Sequence, residues 1–170
     1  MTRGRLVLMR HAKSAYPTGV PDHDRPLNER GQSDVIAAHK WCSEFGSQLL
    51  GPRPAIVVST ALRTQQTWQG LASAFPDAHV QHSSRVYEAV VSTLIDLCAE
   101  QLAAGLSTMV IGHNPGVESM ADFLALPGAS APAWVSREKF PTSAIAVLEL
   151  TDDSWSRHSA VVSTFVVPRG

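Results

Sequence analysis

An α/β fold on a mostly parallel sheet, covered by helices on both faces, is what this sequence predicts. Short apolar runs alternate with longer amphipathic stretches through the first two thirds of the chain, the pattern of strand–helix units. Four of those runs end in polar, chemically capable residues, and functional groups in open α/β sheets collect beyond the carboxyl ends of the strands. The chain has 170 residues, 44% of them apolar, enough for one domain over 1–170 and short for two.

Leu6–Met9 is the first buried-strand candidate. Residues 14–28 hold Pro17, Gly19, Pro21 and Pro26 and read as loop. Asn28 can cap a helix over about 29–48, whose expected inner stripe is Val35, Ile36, His39, Phe45 and Leu49. Gly51, Pro52 and Pro54 break it, and Ala55–Val58 forms a second strand. A helix over about 61–74 follows, with Leu62, Trp68 and Leu71 expected inside. Residues 79–87 read as extended, 91–104 as a helix and Thr108–Ile111 as a strand. Pro115 suits a helix start, with Asn114 as its expected cap and Leu126 as its approximate end. Residues 127–141 are rich in Pro, Gly and Ser and read as loop. Ala144–Leu150 and Ala160–Val166 read as two final strands, joined directly and therefore antiparallel.

Composition excludes several classes of function. The net charge is -1, so no broad basic field calls for nucleic acid. Trp41, Trp68, Trp134 and Trp155 lack an accompanying basic stripe and read as packing rather than base-stacking platforms. No apolar run approaches the ~18 residues of a membrane span. Cys42 and Cys98 are too far apart for a CxxC or zinc motif. With no apolar leader after the first arginines, a cytoplasmic location is expected. No GxxxxGK[ST] loop, HExxH motif or GxSxG elbow is present, which argues against Walker-type nucleotide chemistry, a required metal or cofactor, and an α/β-hydrolase.

What the strand ends do hold is Arg10 and His11, then Ser59, Thr60 and Arg63, then Tyr87 and Glu88, then Gly112, His113 and Asn114. A parallel sheet would bring two arginines, two histidines and a carboxylate to one edge. Two guanidiniums in one pocket call for a strong anion, and a phosphoryl group has the oxygens to accept their forked donors. One unit-charge pair at about 4 Å is worth about 4 kcal/mol at an effective dielectric near 20. A neutral imidazole can attack phosphorus, a second can donate to an equatorial oxygen, and Glu88 can serve as acid and base. The structural alternative pairs Arg10 and Arg63 with Asp24 or Glu118 and leaves Glu88 a solvated carboxylate. Lys13 and Ser14 can shape the pocket, and Asp24 with Arg25 can brace the loop over it. His23, His39, His79, His82 and His158 show no catalytic spacing.

The segments LVLMRHAKS (6–14), DRPLNERG (24–31), VVSTALRTQQTW (57–68), VYEA (86–89), VIGHNPGVE (110–118) and FPTSAIAVLEL (140–150) occur in one order along the chain. Together they resemble the histidine phosphatase, or phosphoglycerate mutase-like, superfamily, and within it the small SixA-type phosphohistidine phosphatases. The resemblance implies a three-layer α/β/α sandwich and a covalent phosphohistidine intermediate formed without metal or cofactor. It implies His11 as nucleophile, Arg10, Arg63 and His113 as phosphate-binding groups, and Glu88 at the position of the acid found in many members. Ala12 stands where the larger relatives have glycine, a form common in the small branch, and Ser143 stands where relatives often carry glycine. Larger relatives insert a helical cap after the third strand, and only a few residues separate Glu88 from the helix near Val91. The expected site is therefore shallow and open, suited to a phosphohistidine displayed on a protein and poorly suited to a mutase. Two other readings keep the same arginine pocket: a broad phosphomonoesterase acting on small molecules, and a phosphate-binding module without turnover. An open site of this kind works in a monomer.

Overall fold

The computed structural model describes residues 5–127, 139–152 and 155–170. Trp134 and most of the 127–141 loop lie outside the described residues. Six strands, β1 (Arg5–Arg10), β2 (Ala55–Ser59), β3 (His79–Ser83), β4 (Thr108–Gly112), β5 (Ile145–Leu150) and β6 (Ala160–Val166), form one sheet. Its order is β3-β2-β4-β1-β5-β6. β3, β2, β4 and β1 are mutually parallel, while β5 runs antiparallel to β1, and β6 to β5. The expected mostly parallel sheet with an antiparallel end is what forms.

Strand alternation explains the three layers. Leu6, Leu8, Val57, Val110, Ala146 and Leu148 point to one face, where they meet α3 (Val91–Ala103) through Leu94, Leu97 and Cys98, and α4 (Gly116–Leu124) through Val117, Met120 and Leu124. Their odd-even neighbours Val7, Met9, Ile56, Val58, Met109, Ile111, Ile145 and Val147 point to the other face. There they meet α1 (Glu29–Leu50) through Ala38 and Cys42, and α2 (Leu62–Leu71) through Trp68 and Leu71. Strands covered on both faces carry apolar residues at successive positions, which is why each read as a continuous apolar run. Burial pushes the Cys42 thiol up to about 12 and raises that of Cys98 further still, so both are inert core residues.

This winding places the site. The helix after β1 packs on one face and the helix after β4 packs on the other, yet β1 and β4 are neighbours. A crevice opens where adjacent strands send their connections to opposite faces. The His11 N–H donates to the Gly112 carbonyl at 3.0 Å, so the ends of β1 and β4 stay registered as the two chains diverge.

Several elements differ in detail from expectation. The inner stripe of α1 is Gly31, Asp34, Val35, Ala38, Cys42, Gly46 and Leu50. Ile36 and Phe45, expected inside, are 72% and 37% exposed. The helix packs so closely that small residues form the seam: a Cβ on Gly46 would meet the Phe75 ring at 2.7 Å. Leu62, at the first turn of α2, is exposed, while Arg63, Thr64 and Thr67 are buried. β3 stops at Ser83, and a 3₁₀ turn over Ser84–Val86 carries the chain on to Tyr87. Asn114 does not cap α4: its Nδ2 donates to Glu118 Oε2 at 2.9 Å and to the Phe140 carbonyl at 3.0 Å.

Candidate active site

His11 leaves the end of β1 with its ring held in one tautomer. Nδ1 lies 2.7 Å from the Ala12 carbonyl, an acceptor, so Nδ1 carries the proton and Nε2 keeps its lone pair. That lone pair accepts from Arg63 Nε at 3.3 Å. Burial, reinforced by Arg63 and Arg10, pushes the His11 pKa down to about 3. The imidazole is therefore neutral across the physiological range, the form a nucleophile requires.

His113 stands 5.1 Å from His11, ring centroid to ring centroid. Its Nε2 is 2.7 Å from Ser59 Oγ at the end of β2, and its Nδ1 is buried with no hydrogen-bond partner. Burial first, then His11 and Arg63, lower its pKa to about 3. The neighbouring His11 imidazole and Arg63 guanidinium disfavour a further positive charge here.

Arg10 donates from NH1 to the Phe140 carbonyl at 2.8 Å, while its Nε is buried and unpartnered. Burial lowers its pKa, against the opposing field of Glu118. The Ser143 N–H donates to the Arg10 and His11 carbonyls at 3.2 and 3.1 Å, with Ser143 at φ 66. The left-handed backbone explains why glycine suits this position. The alternative ion pairs of Arg10 and Arg63 with Asp24 or Glu118 do not form: Asp24 Oδ1 lies 3.3 Å from His23 Nδ1, and Glu118 acts on Arg10 only through its field.

Arg63 sits in the first turn of α2, with the Thr67 hydroxyl donating to its carbonyl and accepting from the Ala12 N–H. This couples α2 to the backbone beside the His11 ring. The outer edge of the guanidinium meets Asp22, NH1 to its carbonyl at 2.6 Å and NH2 to Oδ2 at 3.0 Å. Asp22 was not among the candidates. Its signal was present as the acidic and basic run between Pro21 and Pro26, whose turn geometry only the folded chain supplies.

Arg10, His11, Arg63 and His113 line a cavity of about 170 Å³ together with Lys13, Ser14, Tyr16, Arg25, Asn114 and Thr142. Four cationic side chains thus face one small space, which matches a phosphoryl group in size and charge. A larger cavity of about 520 Å³ lies at the opposite end of the sheet beside Arg5 and Glu149, which pair with each other.

Glu88 is not among the residues lining the site cavity. It is exposed, with backbone φ 54, while the preceding Tyr87 packs its ring edge-on against His113 at 5.4 Å and donates its hydroxyl to Asp22 Oδ2 at 2.7 Å. The 3₁₀ turn after β3 is what separates the pair, sending Tyr87 to the site and Glu88 to solvent.

Comparison with known proteins agrees with this architecture. The sequence profile of the histidine phosphatase superfamily (branch 1) matches residues 6–125. An uncharacterized protein of Mycobacterium tuberculosis is 39% identical over 144 residues, covering 84% of this chain and 87% of that one. The crystal structure of a protein assigned as phosphohistidine phosphatase SixA from Agrobacterium tumefaciens superposes with a TM-score of 0.77 at 30% identity, covering 98% and 99% of the two chains. A protein histidine phosphatase SixA complexed with tungstate shares the fold, with a TM-score of 0.71 at 24% identity over 96% and 97% of the chains. With its strand-end histidines and arginines around one anion-sized cavity, this chain belongs to the histidine phosphatase superfamily, on its small SixA-type branch.

Proposed function

We propose that this protein is a phosphohistidine phosphatase acting on phosphohistidine displayed by another protein, through a phosphoenzyme on His11. The observation that carries the reading is the His11 ring itself. Its Nδ1–H is tied to Ala12, and its Nε2 lone pair is held beside Arg63 at the wall of a cationic cavity.

In the first step Nε2 forms a bond to phosphorus as the bond from phosphorus to the substrate nitrogen breaks. Arg10, Arg63 and the Nδ1 edge of His113 take the three equatorial oxygens, where charge spreads in the transition state. The leaving imidazole, protonated on its other nitrogen, departs as a neutral ring and draws no proton from Glu88. Water then attacks phosphorus, the bond to Nε2 breaks, and the proton of the water passes to solvent or to the released phosphate. The cavity holds little beyond the phosphoryl group at about 170 Å³, which supports a substrate whose body stays outside and favours a protein over a deeply bound metabolite.

The test compares metal-free turnover of a phosphohistidine-bearing protein with that of several small phosphomonoesters, and traps the phosphoenzyme. We expect fast release from the protein and an acid-labile phosphate on His11, absent in His11→Ala. Fast release from small esters alone would keep the chemistry and overturn the substrate. Unchanged turnover in His11→Ala would overturn the mechanism.

A further inference from the structure

Arg63 is an awkward residue for its position. It is a nearly buried cation, its side chain 7% exposed, in the first turn of a helix, where the dipole favours anions. An unpaired buried charge is strongly disfavoured. Asp22 answers both problems. It sits in a 3₁₀ turn, Asp22–Asp24, between β1 and α1, and takes both terminal nitrogens of Arg63, one on its carbonyl and one on Oδ2. The remaining guanidinium nitrogen, Nε, donates to His11 Nε2 at 3.3 Å.

Asp22 is itself fixed from other sides. Arg25 NH1 donates to Oδ1 at 2.6 Å, and the Tyr87 hydroxyl donates to Oδ2. Arg25 is anchored in turn to the Ala15 carbonyl at 2.9 Å and to Ser14 Oγ at 2.6 Å. Tyr87, then Arg25 and Arg63, hold the Asp22 carboxyl far below the usual carboxylate range, so it stays ionised wherever the enzyme works. A carboxylate held by three side chains does not behave as a loose tether waiting for displacement.

The geometry points to Asp22 as a positioning residue that orients Arg63, holding the outer edge of the guanidinium so that its Nε edge faces the phosphoryl group on His11. This rests on the reading of His11 as the phosphoryl acceptor. It divides Arg63 into two functional edges: one is structural and belongs to Asp22, the other is chemical and belongs to the transition state. Tyr87 acts one step further back, by fixing the Asp22 oxygen that meets NH2.

Asp22→Asn removes the charge and keeps the shape. We expect kcat to fall about 10- to 100-fold, less than the roughly 100- to 1000-fold of removing a transition-state donor outright, because Arg63 stays in place and loses only its orientation. Vanadate, which mimics the five-coordinate phosphorus, should bind at least tenfold more weakly, while inorganic phosphate changes less than threefold. Tyr87→Phe should shift both quantities in the same direction by a smaller factor, and it provides the readout if Asp22→Asn folds poorly. In an Arg63→Gln background the Asp22 substitution should have almost no further effect, since a residue acting through another is non-additive with it. Additive losses would overturn the proposal, as would equal weakening of phosphate and vanadate. Tighter phosphate binding in Asp22→Asn would also overturn it, by making Asp22 a competitor for Arg63. Both titrations use equilibrium binding to the whole protein, so they report on Asp22 even if the phosphohistidine assay fails. Absence of any His11 phosphoenzyme in the unmodified protein would count against the proposed function and not against this geometry.

Discussion

At the scale of the residue, the two histidines make acid sensitivity a property of the site. Both have pKa values near 3 in the folded protein, against about 6.5 for a free imidazole. Their folded values are depressed, so between the two pH limits the unfolded chain binds protons that the folded chain refuses. Stability is therefore complete above about pH 6.5 and declines as pH falls toward 3. Each histidine should contribute a loss of about 2 kcal/mol between pH 7 and pH 5. Denaturant titrations of the unmodified protein and of His11→Asn at both pH values isolate one share: the variant should lose about 2 kcal/mol less. Equal losses would mean that His11 takes up protons in the folded state as freely as in water. By the same argument kcat/KM should show no inflection near pH 6.5 from the free enzyme's nucleophile.

At the scale of the element, the start of α1 is what frames the site loop. Asn28 Oδ1 accepts from the Gly31 N–H at 2.8 Å, and the Asn28 N–H donates to the Lys13 carbonyl at 3.0 Å. The helix therefore begins against the loop that follows His11. Gly31 permits that approach, since a Cβ there would lie 2.1 Å from the Lys13 carbonyl oxygen. Gly31→Ala must push backbone against backbone and should destabilise the protein by about 1–3 kcal/mol. It should also weaken oxyanion binding, because Lys13 and Ser14 line the cavity. Asn28→Ala removes only a cap and should cost about 1 kcal/mol. Urea unfolding with a parallel phosphate titration checks both. A Gly31→Ala protein with unchanged stability would show that helix and loop can part without cost.

At the scale of the whole molecule, the end of the described chain closes the site from behind. Asp34 on α1 is fully buried and meets Arg169 NH1 at 2.9 Å, with Arg30 at 3.6 Å. The same Arg169 nitrogen donates to the Thr142 carbonyl at 2.8 Å, and Arg30 NH2 donates to Thr142 Oγ1 at 2.9 Å. Thr142 lines the cavity, so residues far apart in sequence brace one wall. Arg169→Ala leaves the buried Asp34 carboxylate with a poorer partner. Arg169 is itself partly solvated, so the expected loss is about 1–3 kcal/mol, below that of a fully buried pair. Thermal unfolding should record it, and Asp34→Asn in the same background should recover part of it. No recovery would place the role of Arg169 in its bond to Thr142 rather than in charge pairing.

The sequence by itself determined the alternation of strands and helices, the antiparallel last pair, and the positions of Arg10, His11, Arg63 and His113. Those features are local: apolar runs, turn residues and strand-end polar groups are written in neighbouring letters. It placed Val35 and Leu49 on the core side of α1 but wrongly turned Ile36 and Phe45 inward with them, where close packing selects small residues such as Gly46. It also assigned Asn114 to a helix cap, where folding offers it Glu118 and the Phe140 carbonyl instead. Tertiary structure alone decided that Tyr87 reaches the site while Glu88 faces solvent, and that Arg63 gives its outer edge to Asp22. Each depends on contacts across tens of residues or on the direction of one turn. Spacing along a chain carries no record of which polar group will meet another once burial has removed water as the alternative partner.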